Sequence, residues 1–331
     1  MTRAAVIGAT SWGTTLATLL ARGGTDTSLV VRGVAEADTI NSARENTARM
    51  PSLRLPANLT ATADPETLAT SDLVVIAVPS ATLRQNLVRH APAISADATI
   101  VSATKGLEPD TCLRMSQVIE SFGVESERVL ALSGPNFASE IVADLPAATV
   151  IAGIDQPRVY HAQQLLNSTH FRVYTSDDRI GVELAGALKN IVAIVCGLSD
   201  GLGYGDNARA ALITRGLAEI TRLGVAAGAE PLTFQGLAGI GDLVLTCQSD
   251  KSRNRRLGQA LAKGLDLGQA KQTIGLVEGV VTTRAVPPLA QRQGIEMPIC
   301  SSLHSVLFEG KSAAEAGRDL MARAARPERD R

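Results

Sequence analysis

Ala4-Ala-Val-Ile-Gly8-Ala-Thr10-Ser-Trp12-Gly13-Thr-Thr-Leu-Ala-Thr-Leu-Leu-Ala-Arg22-Gly-Gly24 is the stretch that decides the architecture. Ala4–Ile7 reads as a buried strand, Gly8–Gly13 as a tight turn, and Thr14–Arg22 as a helix stopped by Gly23-Gly24. This is the context of a dinucleotide-binding fingerprint. Gly8 permits the sharp turn, Gly13 permits close packing of helix on strand, and the helix N-terminus offers free N–H groups to a diphosphate. Thr10 departs from the pattern, since a glycine there normally lets the backbone approach the phosphates. A plain strand–turn–helix junction would look similar. The place of the motif at the head of a βαβ unit favours the dinucleotide reading.

Working outward, further Val/Ile-rich runs read as strands: Ser28–Val31, Leu73–Val78, Thr99–Ser102, Val129–Leu132 and Ala148–Ala152. Continuous apolar strands separated by helical patterns predict a parallel sheet covered on both faces. The first half, residues 1–177, is therefore expected to be a Rossmann-type, doubly wound α/β domain. From about Ile180 the apolar spacing turns helical, which places a boundary near Asp177-Asp178 and predicts an all-α C-terminal domain over 178–321. The charged segment 322–331 reads as a frayed tail. A chain of 331 residues, 45% hydrophobic, is long enough for two cores.

Charge excludes some partners. The 32 Lys and Arg balance 33 Asp and Glu, for a net charge of -1, so no nucleic-acid or membrane-surface partner is expected. Aromatics at 3% also argue against stacking platforms for bases. Cys112, Cys196, Cys247 and Cys300 have no metal-like or redox-like spacing and read as reduced thiols of a cytoplasmic protein. Met1–Gly8 is too short in apolar residues for a signal peptide. No stretch is expected to approach the ~20 apolar residues of a membrane span.

Candidate chemistry lies at the strand ends and in the helical half. An acid at the end of the second strand would hold a ribose 2′-hydroxyl, whereas an arginine accommodates a 2′-phosphate. Here Arg32 follows Val30-Val31, with no acid before Glu36, which leans towards NADP over NAD. A solvated arginine is the plain alternative. Val78-Pro79-Ser80 and Thr104-Lys105-Gly106 lie where such sheets bind ligands, beyond the carboxyl ends of the strands, so Lys105 aims at the cleft. In Glu183-Leu-Ala-Gly-Ala-Leu-Lys189-Asn190-Ile-Val-Ala-Ile-Val195 the helix is apolar almost all round and offers Lys189 no carboxylate one turn away. Burial favours the neutral amine and fits a proton carrier near neutral pH, although a lysine snorkelling to water has the same local pattern. Downstream, Ser252 reads as the N-cap of a helix whose first turn holds Arg253, Asn254, Arg255 and Arg256. Cations oppose the macrodipole there, so a bound phosphate would explain them, with a solvated basic face as the alternative. Gly236–Cys247 reads as a close-packed turn projecting Asp242 into the cleft, or using it as an N-cap.

Taken together these segments resemble the bacterial-type NAD(P)-dependent glycerol-3-phosphate dehydrogenases. The most specific part runs from Glu183 to Arg256 and includes Ala210-Ala-Leu-Ile-Thr-Arg-Gly216, Thr233-Phe-Gln-Gly-Leu-Ala-Gly239 and Ser252-Arg-Asn-Arg-Arg256. The resemblance implies an oxidoreductase that interconverts sn-glycerol 3-phosphate and dihydroxyacetone phosphate with NAD or NADP, supplying glycerol 3-phosphate for glycerophospholipid synthesis. It implies a catalytic Lys189 with Lys105 and Asp242, and a substrate site that adds Gly134, Asn136, Asn190, Thr246, Ser252, Arg253 and Asn254. Cofactor positions are Gly8, Ser11, Trp12, Gly13, Arg32, Arg49, Lys105, Ala138, Arg253, Leu276 and Glu278; Arg49 lies in a loop that fits the pattern poorly. A phosphorylated small molecule is the expected partner, and the apolar helical half suits a homodimer face. No metal is implied. Rival readings are a ketopantoate or β-hydroxyacid reductase, which needs no phosphate grip, a nucleotide-sensing regulator, and a scaffold.

Overall fold

The computed structural model describes residues 2–325 and 327–328. Eight strands form one sheet: β1 (Arg3–Ile7), β2 (Asp26–Val30), β3 (Leu59–Thr62), β4 (Leu73–Ile76), β5 (Thr99–Ser102), β6 (Val129–Ser133), β7 (Ala147–Ala152) and β8 (Phe171–Ser176). Their order is β3-β2-β1-β4-β5-β6-β7-β8. β1 pairs in parallel with both β2 and β4, so the winding reverses at β1 and a crevice opens beyond Ile7. The helices of this half are α1 (Ser11–Arg22), α2 (Val34–Ala43), α3 (Leu83–His90), α4 (Met115–Glu120), α5 (Ala138–Val142) and α6 (Gln156–Leu166). They bury two apolar layers, one around Leu16, Leu20, Leu29 and Phe171, the other around Ile76, Leu83, Leu87 and Ile119.

Two features depart from the expected sheet. First, β6 and β7 run antiparallel. The helix between them has five residues and spans about 7.5 Å, too short to carry the chain back along a strand of about 16 Å, so β7 re-enters from the same end. Second, β3 and β8 give no continuous apolar run. Both are edge strands that alternate buried and exposed residues at their start, as strands covered on one face do.

Beyond Ser176 the described residues contain no strand. The helices are α7 (Arg179–Gly201), α8 (Gly205–Ala226), α9 (Asp242–Gln248), α10 (Arg253–Ala262), α11 (Leu267–Ile274), α12 (Glu278–Gln293), α13 (Pro298–Phe308) and α14 (Ala313–Met321). Asp178 caps α7 by accepting from the Gly181 N–H at 2.8 Å, and its other oxygen holds Glu230 N–H and the Thr233 hydroxyl. α7 is the core of this half. It crosses α10 at a Gly197–Gly258 contact so close that a methyl on either glycine would meet backbone at 2.0 Å. α7 is also long and apolar enough to cross a membrane by length and composition, contrary to the expectation that no stretch approaches such a span. In the fold 94% of its most apolar window is buried against protein, which accounts for that apolarity without lipid. The four cysteines are buried and unpaired. The tail is tied where it is described: Arg323 pairs with Glu296, and Arg215 donates to the Glu328 carbonyl at 3.0 Å. Residues 326 and 329–331 of that tail lie outside the described residues.

Candidate functional site

The turn after β1 is built as the fingerprint requires. Gly8 sits at φ +109°, and a methyl at Gly13 would lie 1.9 Å from the Gly8 carbonyl oxygen, so helix and strand meet with no room for a side chain. Thr10, in the place of the usual glycine, adopts an extended conformation open to any residue. Its hydroxyl donates to the Ala77 carbonyl at 2.9 Å and accepts from the Gly13 N–H at 3.0 Å, so it caps α1. Gly13 N–H is consumed, and the N–H groups of Ser11 and Trp12 head the helix without intrahelical acceptors. The residues present therefore fit a dinucleotide diphosphate at the switch point. Ser11 Oγ donates to the carbonyl of exposed Arg49 at 2.9 Å, and Trp12 packs edge-on against Phe171.

At the junction of the two halves a lysine pair encloses one carboxylate. Lys105, in the loop after β5, donates from Nζ to the Gly134 carbonyl at 2.9 Å and to Asp242 Oδ2 at 2.8 Å. Lys189 on α7 donates to Asp242 Oδ1 at 2.5 Å and to Thr246 Oγ1 at 2.7 Å. Lys189 keeps 8% of its side-chain surface and Asp242 2%, so the Lys189 amine does not point into bulk water. Its carboxylate partner, absent from its own helix, comes from α9. Asp242 reaches it because Leu237–Gly241 forms a π-helical turn kinked at Gly239, which leads straight into α9. Burial lowers the Lys189 pKa to about 8; Lys105 adds to that depression, and Asp242 opposes it. Burial works against the charged form of Asp242, but the two ammonium groups outweigh it and hold its pKa below the usual range.

Next to this cluster, Asn254 donates to Asn190 Oδ1 at 2.9 Å and accepts from the Gly279 N–H at 3.0 Å, which fixes both side chains and leaves Asn254 one amide hydrogen. Ser252 is the N-cap of α10 and is taken up by the Arg255 N–H at 3.2 Å. The basic run separates into roles. Lys251 pairs with Glu140, and Arg255 pairs with Asp200 and Asp250, so both are structural. Arg253 makes no ion pair among the described residues. Burial lowers its pKa, Glu278 opposes this, and the nearby cations Arg256 and Arg49 reinforce it. Burial raises the Glu278 pKa, while its bonds to the Ser80 hydroxyl and N–H oppose the rise. That contact joins the N-terminus of α12 to the loop after β4.

Other expected positions make different contacts. Asn136 donates to Thr149 Oγ1 at 2.8 Å, and its own oxygen is buried without a partner. Ala138 opens α5, and Leu276, 43% exposed, lies two residues before α12. Arg32 follows β2, its side chain 84% exposed and 3.4 Å from Glu36. Ser80 and Thr149 had no role in the sequence reading. Ser80 had a signal, its place beyond β4; Thr149 had none, being one polar residue inside a strand.

Comparison with known proteins agrees over both halves. Residues 3–158 match the family model described as NAD-dependent glycerol-3-phosphate dehydrogenase N-terminus, and residues 178–318 match the corresponding C-terminus. A glycerol-3-phosphate dehydrogenase [NAD(P)+] of Nocardia farcinica is 49% identical, covering 99% of this chain and 100% of its own. One of Streptomyces avermitilis is 45% identical, covering 99% and 98%. The crystal structure of glycerol-3-phosphate dehydrogenase from Coxiella burnetii superposes with a TM-score of 0.92 at 40% identity, over 97% of this chain and 99% of that one.

Proposed function

The chain belongs to the NAD-dependent glycerol-3-phosphate dehydrogenase family, and from that premise we propose that Lys189 is the proton carrier for interconversion of sn-glycerol 3-phosphate and dihydroxyacetone phosphate. The enzyme is an NAD(P)-dependent oxidoreductase. The observation that carries the proposal is the placement of Lys189, buried where the two halves meet, with Asp242 and Thr246 on two of its donor positions. An ammonium has three such positions, so one remains for a substrate oxygen. When bound, the nicotinamide supplies the hydride acceptor or donor.

In oxidation, neutral Lys189 takes the proton of the C2 hydroxyl. In reduction, its ammonium form gives a proton to the developing alkoxide. A pKa of about 8 keeps both forms accessible near neutral pH. Lys105, held by Gly134 and Asp242, places a second positive charge beside the reacting oxygen. Arg253, with the free amide hydrogen of Asn254, grips the phosphate and so fixes the carbon to be oxidised. Supply of glycerol 3-phosphate to glycerophospholipid synthesis in the cytoplasm accords with this activity. A homodimer through the helical half, where Leu232 is 72% exposed, belongs to the same reading, and a monomer in sedimentation would overturn that part.

The test is consumption of NADPH or NADH by the purified protein with dihydroxyacetone phosphate, repeated with Lys189→Met. Turnover that falls by about 10²–10⁴ in the variant, with an unchanged circular dichroism spectrum, is expected. No turnover in the unmodified protein would refute the activity, as a nucleotide sensor would require. Near-normal turnover in the variant would remove Lys189 from the chemistry.

A further inference from the structure

We propose that Arg89, on α3, joins Arg32 as a recognition pair for the 2′-phosphate of NADP(H), and that Arg89 sets the cofactor preference. The inference rests on the reading above that the crevice takes NAD(P).

The end of β2 carries contradictory signals if only its own residues are considered. Glu36 folds back so that Oε2 accepts from the Arg32 N–H at 3.2 Å and from Arg32 Nε at 3.4 Å. A carboxylate at this place is the group that would hold a ribose 2′-hydroxyl, whereas a guanidinium is the group that would hold a 2′-phosphate. Arg32 and Glu36 together are a neutral pair. A phosphomonoester carrying between one and two negative charges would find little net attraction there.

Arg89 changes that balance. It lies 57 residues away in the chain, yet its Nη1 donates to the Arg32 carbonyl at 2.9 Å. A second guanidinium therefore stands at the end of β2, beside the switch point and exposed to solvent. Among the described residues Arg89 has no carboxylate partner. One of its five N–H donors is used on the carbonyl, and the rest of the fork is available. Two cations now face one anion, and the excess belongs to Arg89. Guanidinium forks match phosphate oxygens in geometry as well as charge. If Arg89 only capped a strand-end carbonyl, its loss would affect NADPH and NADH alike, because the two cofactors differ at the 2′ position and nowhere else.

The experiment measures Kd by fluorescence titration, and kcat/KM with dihydroxyacetone phosphate, for NADPH and for NADH, in the unmodified protein, Arg89→Leu and Arg89→Lys. Loss of a hydrogen bond to a charged group predicts that the preference for NADPH over NADH falls about tenfold or more in Arg89→Leu. Arg89→Lys, which keeps the charge but not the fork, should fall less. A ratio unchanged within about twofold in both variants, or equal losses for both cofactors, overturns the proposal. Because the ratio of Kd values is read without turnover, an inactive protein that binds both nucleotides sinks the proposed activity and still decides the role of Arg89. An unmodified protein that binds neither nucleotide overturns both.

Discussion

Replacing Asp242 by Asn removes the one negative charge between two lysines and leaves nearly the same shape. Each carboxylate oxygen holds one ammonium, Lys189 at 2.5 Å and Lys105 at 2.8 Å. The Lys189 pKa of about 8 is a balance in which burial and Lys105 lower it and Asp242 raises it. In Asp242→Asn the largest raising influence is gone, while burial and Lys105 still lower the pKa. An opposite charge at this range is worth about one to three pH units, so the Lys189 midpoint should drop to between about 5 and 7. That is roughly 1.4–4 kcal/mol in the ionisation of one amine. On the proposed role of Lys189, oxidation of glycerol 3-phosphate draws on its neutral form, so the limb of its profile that rises with pH should shift to lower pH. On the same proposal, reduction draws on the ammonium form and should lose rate near neutrality. The assay is kcat/KM for oxidation from about pH 5 to 10, followed by nicotinamide absorbance, because kcat/KM reports groups of the free enzyme. A midpoint that stays near 8, or rises, would refute both the electrostatic role of Asp242 and the identity of Lys189 as the titrating group.

Arg253→Ala should raise KM for dihydroxyacetone phosphate by about tenfold or more while the protein stays folded, and an unchanged response to substrate concentration would contradict the phosphate grip. Glu219, buried beneath the N-terminus of α13, should give a stability change of the opposite pH sense to a salt-bridged acid. Burial raises its pKa to about 7, while bonds from the Ile299 and Cys300 N–H groups oppose the rise. Its folded pKa lies above the unfolded one, so its contribution is fully present below about pH 4.5 and lost as pH rises through about 7. Glu219→Gln should therefore narrow the gap in Tm between about pH 5 and 8, corresponding to up to about 3 kcal/mol, and an unaltered gap would show that Glu219 does not titrate in this window.

Much of the fold was legible because its signals are local. The buried strands β1, β4, β5, β6 and β7 appear as Val/Ile-rich or apolar runs, and Ser252 was readable as a cap from its place before a helix. The edge strands β3 and β8 were not legible, because one-sided burial spreads their apolar residues over alternate positions. The reversal of β7 follows from the length of α5, which is visible only when helix and strand are measured against each other. Within the site, the lysine helix was readable as an anomaly: a charged residue on an apolar surface must be explained by something in the fold.

The chain order alone settled which residues would be costly to bury, because charge, apolar periodicity and backbone freedom are properties of short segments. It could not settle what offsets that cost. The carboxylate for Lys189 lies 53 residues downstream, the second guanidinium at Arg32 comes 57 residues later, and Lys251 and Arg255 of the basic run prove to be paired elsewhere. Electrostatic partners act through space over a few ångströms, and sequence separation says nothing of that distance until the helices and the sheet are packed.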